Sequence, residues 1–230
     1  MKTLFLGGDQ RYLEIIKHFE DKEYEIDVVG YENAPIGNKV NKIEINNVNI
    51  GLYDIIFLPI GGVKENYQIE CVFSDEKVVL NKDIFNGIKE KSLIFTGIKT
   101  KRLSEMLENV KANVTYLLDD KEILKENSVA TAEGTIGDII FNTNHTINGS
   151  NIFILGYGNI GKELTDKLIG LGANVTVGVI LFDDFRKLME KQINCIYTFN
   201  QFLMEKIISN SDVIINTVPK LIIDEHYLKS

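Results

Sequence analysis

The sequence predicts an α/β fold of two parallel-sheet domains joined by a linker helix. Three observations carry that expectation. Short apolar runs alternate with segments of helical spacing along most of the 230 residues. Several of the apolar runs end on glycine, as strands do where the chain turns sharply. The alternation is interrupted once, between about residues 126 and 150, by a segment without strand character. The expected division is therefore a first domain at 1–125, a linker region at 126–150 and a second domain at 151–230. A length of 230 residues suits one or two domains, each able to bury a core.

In the first half, residues 3–7 read as a strand closed by Gly7-Gly8, and 11–20 as a helix with Leu13, Ile16 and Phe19 near helical spacing. Strands follow at 25–30, at 54–58 before Pro59 and Gly61-Gly62, and at 93–96 before Gly97. A helix at 100–109 and a strand at 113–117 complete this half. Asp119-Asp120 with Lys121-Glu122 reads as a solvated helix start, and residues 129–146 as the linker helix. In the second half, 151–155 is a continuously apolar strand and 162–171 a helix with Leu164, Leu168 and Leu171 in phase, ended by Gly172 as C-cap. Residues 174–179 form the next strand, 199–209 a helix, and 212–216 the last strand of this half, stopped at Pro219.

Bulk properties exclude several functions. Hydrophobic content of 44% and charged content of 25% are those of a soluble globular chain. A net charge of −8 disfavours non-specific binding to nucleic acid or to an anionic membrane surface. No apolar run approaches the ~20 residues needed to span a bilayer. The start of the chain has neither an extended apolar region nor a small-residue cleavage site, so a cytosolic location is expected. Cys71 and Cys195 match no zinc or redox spacing, and His18, His145 and His226 form no metal-ligand pattern.

The segment Gly156-Tyr157-Gly158-Asn159-Ile160-Gly161 carries the chemistry. It leaves a strand, opens a helix and precedes a second strand, the context that the Rossmann dinucleotide fingerprint requires. Gly156 permits the tight turn, Gly158 lets backbone approach a pyrophosphate, and Gly161 lets the helix pack close. The pyrophosphate would then face the helix N-terminus, where unpaired N–H groups and the dipole favour an anion. Asn216, Thr217 and Pro219 follow a later strand and are expected on the nicotinamide side. At the end of the 174–179 strand neither an acid nor a base stands at the tip; Asp183 and Asp184 come a few residues late, as N-cap or first-turn acids of a helix.

Substrate is expected in a cleft between the halves. Arg11 and Lys99 are candidates for holding substrate carboxylates, and Thr131 and Thr135 for lining the site. Glu133 and Asp9 are candidate acids or bases, provided they are partly desolvated. Asp9 can equally be a helix N-cap, and Thr131 and Glu133 can cap the linker helix.

Taken in order, Gly7-Gly8-Asp9 with Arg11, Ile94-Phe95-Thr96-Gly97-Ile98, Thr131-Ala132-Glu133-Gly134-Thr135, the loop 156–161 and Asn216-Thr217-Val218-Pro219 make the chain resemble the dipicolinate synthase A-subunit family. That resemblance implies two Rossmann-like domains and NADP-linked oxidation of a dihydrodipicolinate-type ring, derived from the lysine pathway, to dipicolinate. The partner it implies is a flavoprotein-like B subunit, and the place is the mother cell of a sporulating bacterium; self-association is left open. Ile180 stands where the family carries an arginine suited to a 2′-phosphate, which leaves NAD as the other cofactor. The family also continues past residue 230, so the second sheet is expected to be incomplete. Two other readings fit the same motifs: another two-domain dehydrogenase of a small carboxylate, and a nucleotide-binding assembly module without catalysis.

Overall fold

The computed structural model describes residues 1–220, 222–224 and 227. His226, among the histidines discussed above, lies outside the described residues. The chain divides into two compact units, Met1–Leu124 and Lys125–Ser230.

The first unit is built on six parallel strands: β1 (Lys2–Leu6), β2 (Glu25–Val29), β3 (Val40–Lys42), β4 (Ile55–Phe57), β5 (Leu93–Thr96) and β6 (Asn113–Tyr116). Their order across the sheet is β3-β2-β1-β4-β5-β6, that of a complete doubly wound dinucleotide fold. Helix α1 (Gln10–Asp21) links β1 to β2, and α2 (Lys101–Met106) links β5 to β6. The other crossovers have no α-helix; residues 58–92 between β4 and β5 run as turns and isolated bridges. Glycines and asparagines recur in that stretch and break helical phase. Side chains of β1 alternate between two cores. Leu4 and Leu6 join Ile56, Leu58 and Ile94 on one face. Phe5 joins Ile26, Val28 and Phe57 on the other. Burial on both faces explains why these strands read as unbroken apolar runs.

Helix α3 is one element of 22 residues, Lys121–Asn142, rather than a helix confined to 129–146. Asp120 caps it, accepting from the backbone N–H groups of Glu122 at 2.8 Å and Ile123 at 3.1 Å. Thr131 and Glu133 are therefore mid-helix and cap nothing.

The second unit holds β7 (Asn151–Leu155), β8 (Asn174–Val179), β9 (Asn194–Tyr197) and β10 (Val213–Asn216), all parallel in the order β10-β7-β8-β9. Helix α4 (Asn159–Gly170) follows β7, α5 (Phe182–Glu190) follows β8, and α6 (Gln201–Ser209) follows β9. Ile152 and Ile154 face Leu164, Leu168 and Leu188 from α4 and α5, together with Ala132 of α3. Phe153 and Leu155 face Met204 and Ile208 of α6. Two local expectations are corrected. The C-cap of α4 is Leu171, and Gly172 is the next residue, at φ +85°, the left-handed position that glycine occupies after a helix. The N-cap of α5 is Leu181, so Asp183 and Asp184 are first-turn acids only.

Candidate functional site

The apolar strand β7 runs straight into the turn at Gly156, whose φ of +97° calls for glycine. Helix α4 starts at once, at Asn159, three residues earlier than its apolar phase suggests. Here the helix start and the turn touch backbone to backbone. A Cβ at Gly161 would lie 2.2 Å from the Gly156 carbonyl oxygen. Gly158 behaves in the opposite way: a Cβ there meets nothing within 4 Å. Being glycine, this N-cap contributes no side-chain hydrogen bond to the helix start, so the first-turn N–H groups are left for an anion. A rigid turn, an open backbone edge and an uncapped helix start are what a dinucleotide pyrophosphate requires, and the residues present fit that group.

A cavity of about 390 Å³ opens at this turn, within the range of ligand pockets. Gly156, Gly158, Val179, Ile180, Thr217 and Pro219 are among its lining residues. The Thr217 hydroxyl donates to the Leu155 carbonyl at 2.7 Å and pins the β10 loop against the Gly156 turn. Asn216 does not line the cavity; its side chain closes its own loop, accepting from Val218 N–H and donating to the Lys220 carbonyl. Tyr157 lines the cavity and is otherwise buried in the unit's core. Asn159 is an exposed first-turn residue of α4, and the neighbouring Ile160 packs partly on the core.

The equivalent crevice of the first unit is built differently. Its switch point, after β1, is the Gly7-Gly8-Asp9 turn. A Cβ at Gly8 would lie 2.7 Å from the Tyr12 ring and 2.8 Å from the Tyr31 hydroxyl. Those two buried phenols donate to the Leu58 and Gly7 carbonyls, at 2.6 and 2.9 Å, and close the space that a phosphate would need. Asp9 is the N-cap of α1, and its carboxylate accepts from the Arg11 backbone N–H and from the Arg11 guanidinium. Burial raises the Asp9 pKa, but the hydrogen bonds and charge of Arg11 outweigh it, and the net shift is downward. A carboxylate fixed at the helix start repels a phosphate and is a weak base. Cys71, which bridges to Gly8, is no nucleophile either: burial pushes its thiol up to about 12.

Lys99 is exposed in the loop between β5 and α2. The Thr131 and Thr135 hydroxyls donate to the carbonyls of Asn127 and Thr131, one turn back along α3. The Glu133 side chain is 62% exposed and its carboxylate meets Lys167 of α4 at 2.9 Å, so the desolvation asked of a tuned base is not supplied by its own unit. A larger depression, about 640 Å³, lies over residues 45–50 and 79–86. Its one ionisable lining residue is Asp83, which leaves it without a set of reactive groups. No three His, Cys, Asp or Glu among the described residues are grouped to hold a metal ion, and no described helix is long and apolar enough to cross a membrane.

Known proteins match along the whole chain. Residues 2–118 match the N-terminal domain of the dipicolinate synthase A subunit, and residues 114–229 the NAD binding domain of D-isomer specific 2-hydroxyacid dehydrogenases. The dipicolinate synthase A subunit of Bacillus subtilis (strain 168) is 30% identical over 231 residues, covering 100% of this chain and 77% of that protein. The crystal structure of the dipicolinate synthase A subunit from Bacillus halodurans superposes with a TM-score of 0.85 at 30% identity, covering 99% of this chain and 78% of that one. The crystal structure of the corresponding B. subtilis protein gives 0.70 at 29% identity, covering 100% and 76%. The second unit is thus a Rossmann-like domain of the nicotinamide-binding kind.

Proposed function

The chain belongs to the dipicolinate synthase A-subunit family, and from that premise we propose that it oxidises a dihydrodipicolinate-type ring to dipicolinate. The observation that carries the reading is the open backbone edge at Gly158 between a strand end and an uncapped helix start. When bound, the nicotinamide accepts a hydride. Aromatisation removes one hydride and one proton from the ring, so the protein has to orient the substrate and take the proton. Gly156, Gly158 and the first turn of α4, with Asn159 and Ile160, seat the pyrophosphate in this reading, and Thr217 and Pro219 close the nicotinamide side. Lys99 is the proposed cation for a substrate carboxylate, with Thr131 and Thr135 nearby in sequence to Glu133, the proposed proton acceptor. Asp9 and Arg11 are assigned to each other, as helix cap and its brace, because their charges are already spent on one another.

The proposed setting is the mother cell of a sporulating bacterium, where the flavoprotein-like B subunit is the partner and a lysine-pathway precursor the source of the ring. Incubating the purified chain with that precursor and a nicotinamide dinucleotide, with and without the B subunit, tests the reading. Dipicolinate formed in step with reduced nicotinamide supports it. Dinucleotide bound but no dipicolinate formed, even with the B subunit present, contradicts it and favours a nucleotide-binding assembly role. In the same assay Glu133→Gln is expected to lower kcat by about 100-fold or more, the usual weight of a general base. A change in KM alone would remove Glu133 from the chemistry.

A further inference from the structure

The far end of the same cavity bears on which dinucleotide it takes. Resting on the reading of this cavity as a dinucleotide seat, we propose that the chain selects the cofactor lacking a 2′-phosphate, and that Ile180 and Asp184 are the residues that discriminate. In this fold the adenosine ribose lies at the end of the second strand, here β8, which stops at Val179. Selection of a 2′-phosphate needs a cation there, and the residues that follow β8 offer none. Ile180 and Leu181 are apolar, line the cavity and are exposed. Asp184 also lines it and, among the described residues, is the one charged side chain that does so.

Asp184 sits in the first turn of α5, with its side chain only 20% exposed. The N–H groups at that helix start would favour a 2′-phosphate, but the first turn already carries two carboxylates, Asp183 and Asp184. A phosphate brought there meets like charge in a partly desolvated place, whereas a ribose with both hydroxyls free can donate to a carboxylate. The cations of α5 do not reverse this. The Lys187 ammonium lies 3.7 Å from Asp184 itself, and the Arg186 guanidinium lies 3.9 Å from both Asp183 and Glu190. Neither Lys187 nor Arg186 lines the cavity.

The test is a fluorescence titration of the full chain with NADH and with NADPH, repeated on the Ile180→Arg/Asp184→Asn double variant. Both positions are at the surface or half-buried and outside the core clusters, and a thermal melt verifies folding. The wild-type chain should bind NADH at least about tenfold more tightly than NADPH, the scale of one lost charge-assisted contact. The double variant should bring the ratio to about one or invert it, mainly by tightening NADPH. Equal or tighter binding of NADPH by the wild-type chain overturns the selection, and an unchanged ratio in the variant overturns the assignment to these two residues. In either case the dinucleotide seat itself survives. Failure of both nucleotides to bind overturns the seat and the selection together.

Discussion

At the scale of single residues, the glycines of the 156–161 turn do different work, and substitution should separate them. Gly158→Asp places a side chain and a negative charge in open space where the pyrophosphate is proposed to pass. It should leave the melting temperature within a few degrees and weaken dinucleotide binding by about 100-fold or more, read by titration. Gly161→Ala should do the reverse kind of damage, because its methyl group meets the Gly156 backbone at 2.2 Å; thermal unfolding should register it before any ligand is added. Asp27 gives a test independent of function. It is 5% exposed, accepts from Tyr53 at 2.7 Å and Asn41 at 3.0 Å, and pairs with Lys2 at 3.0 Å. Burial alone would raise its pKa, but those partners outweigh burial and lower it below the ordinary 3.8. A lowered folded pKa contributes stability above the unfolded value and loses it as pH falls through the folded one. Asp27→Asn should therefore cost about 1–3 kcal/mol at pH 7. The gap between variant and wild type should shrink in denaturant melts below about pH 4; a gap independent of pH would contradict this account of Asp27.

At the scale of elements, legibility follows burial and phase. The four consecutive apolar residues of β7, then glycine, then the in-phase leucines of α4 announce a strand, a turn and a helix, and the structure has them in that order. Strand β3 is Val40-Asn41-Lys42 with only Val40 buried, too short and too polar to show a period. Strand β9, Asn194–Tyr197, has one buried residue and escapes notice for the same reason. The connection over 58–92 is held by backbone bridges and by contacts far apart in sequence, such as Gly8 with Cys71, which no local pattern encodes. Within the site, the glycines are readable because their backbone task is local. Asp184 is readable only as a first-turn acid; that it borders the cavity depends on where α5 packs beside β8. The start of α3 is readable at Asp120 with Lys121-Glu122, but its continuity into the linker helix is not, since Ile123 and Leu124 are the only apolar residues between Lys121 and Asn127. Asp120→Ala removes its cap and should cost about 1 kcal/mol of stability, with faster amide exchange confined to the first turn of α3; no change in either would mean that the capping bonds contribute nothing.

At the scale of the whole molecule, the chain carries two parallel sheets of related strand order and gives them different tasks. The first has the full six-strand order of a dinucleotide fold but closes its switch point with Tyr12, Tyr31 and the helix-capping Asp9. The second keeps its switch point open at Gly156 and Gly158. Strand order alone therefore does not say where the cofactor goes; the presence or absence of side chains at one turn does. Binding confined to one unit stabilises that unit by mass action, about 2.7 kcal/mol at a hundredfold excess over Kd. Hydrogen exchange of the intact chain with saturating NADH, and separately with NADPH, reads this directly. Exchange should slow at residues 156–162, 179–184 and 217–218 with the dinucleotide that binds, and stay unchanged at the Gly7-Gly8 turn. Protection at Gly7-Gly8 with none at 156–162 would contradict a cofactor seat in the second unit.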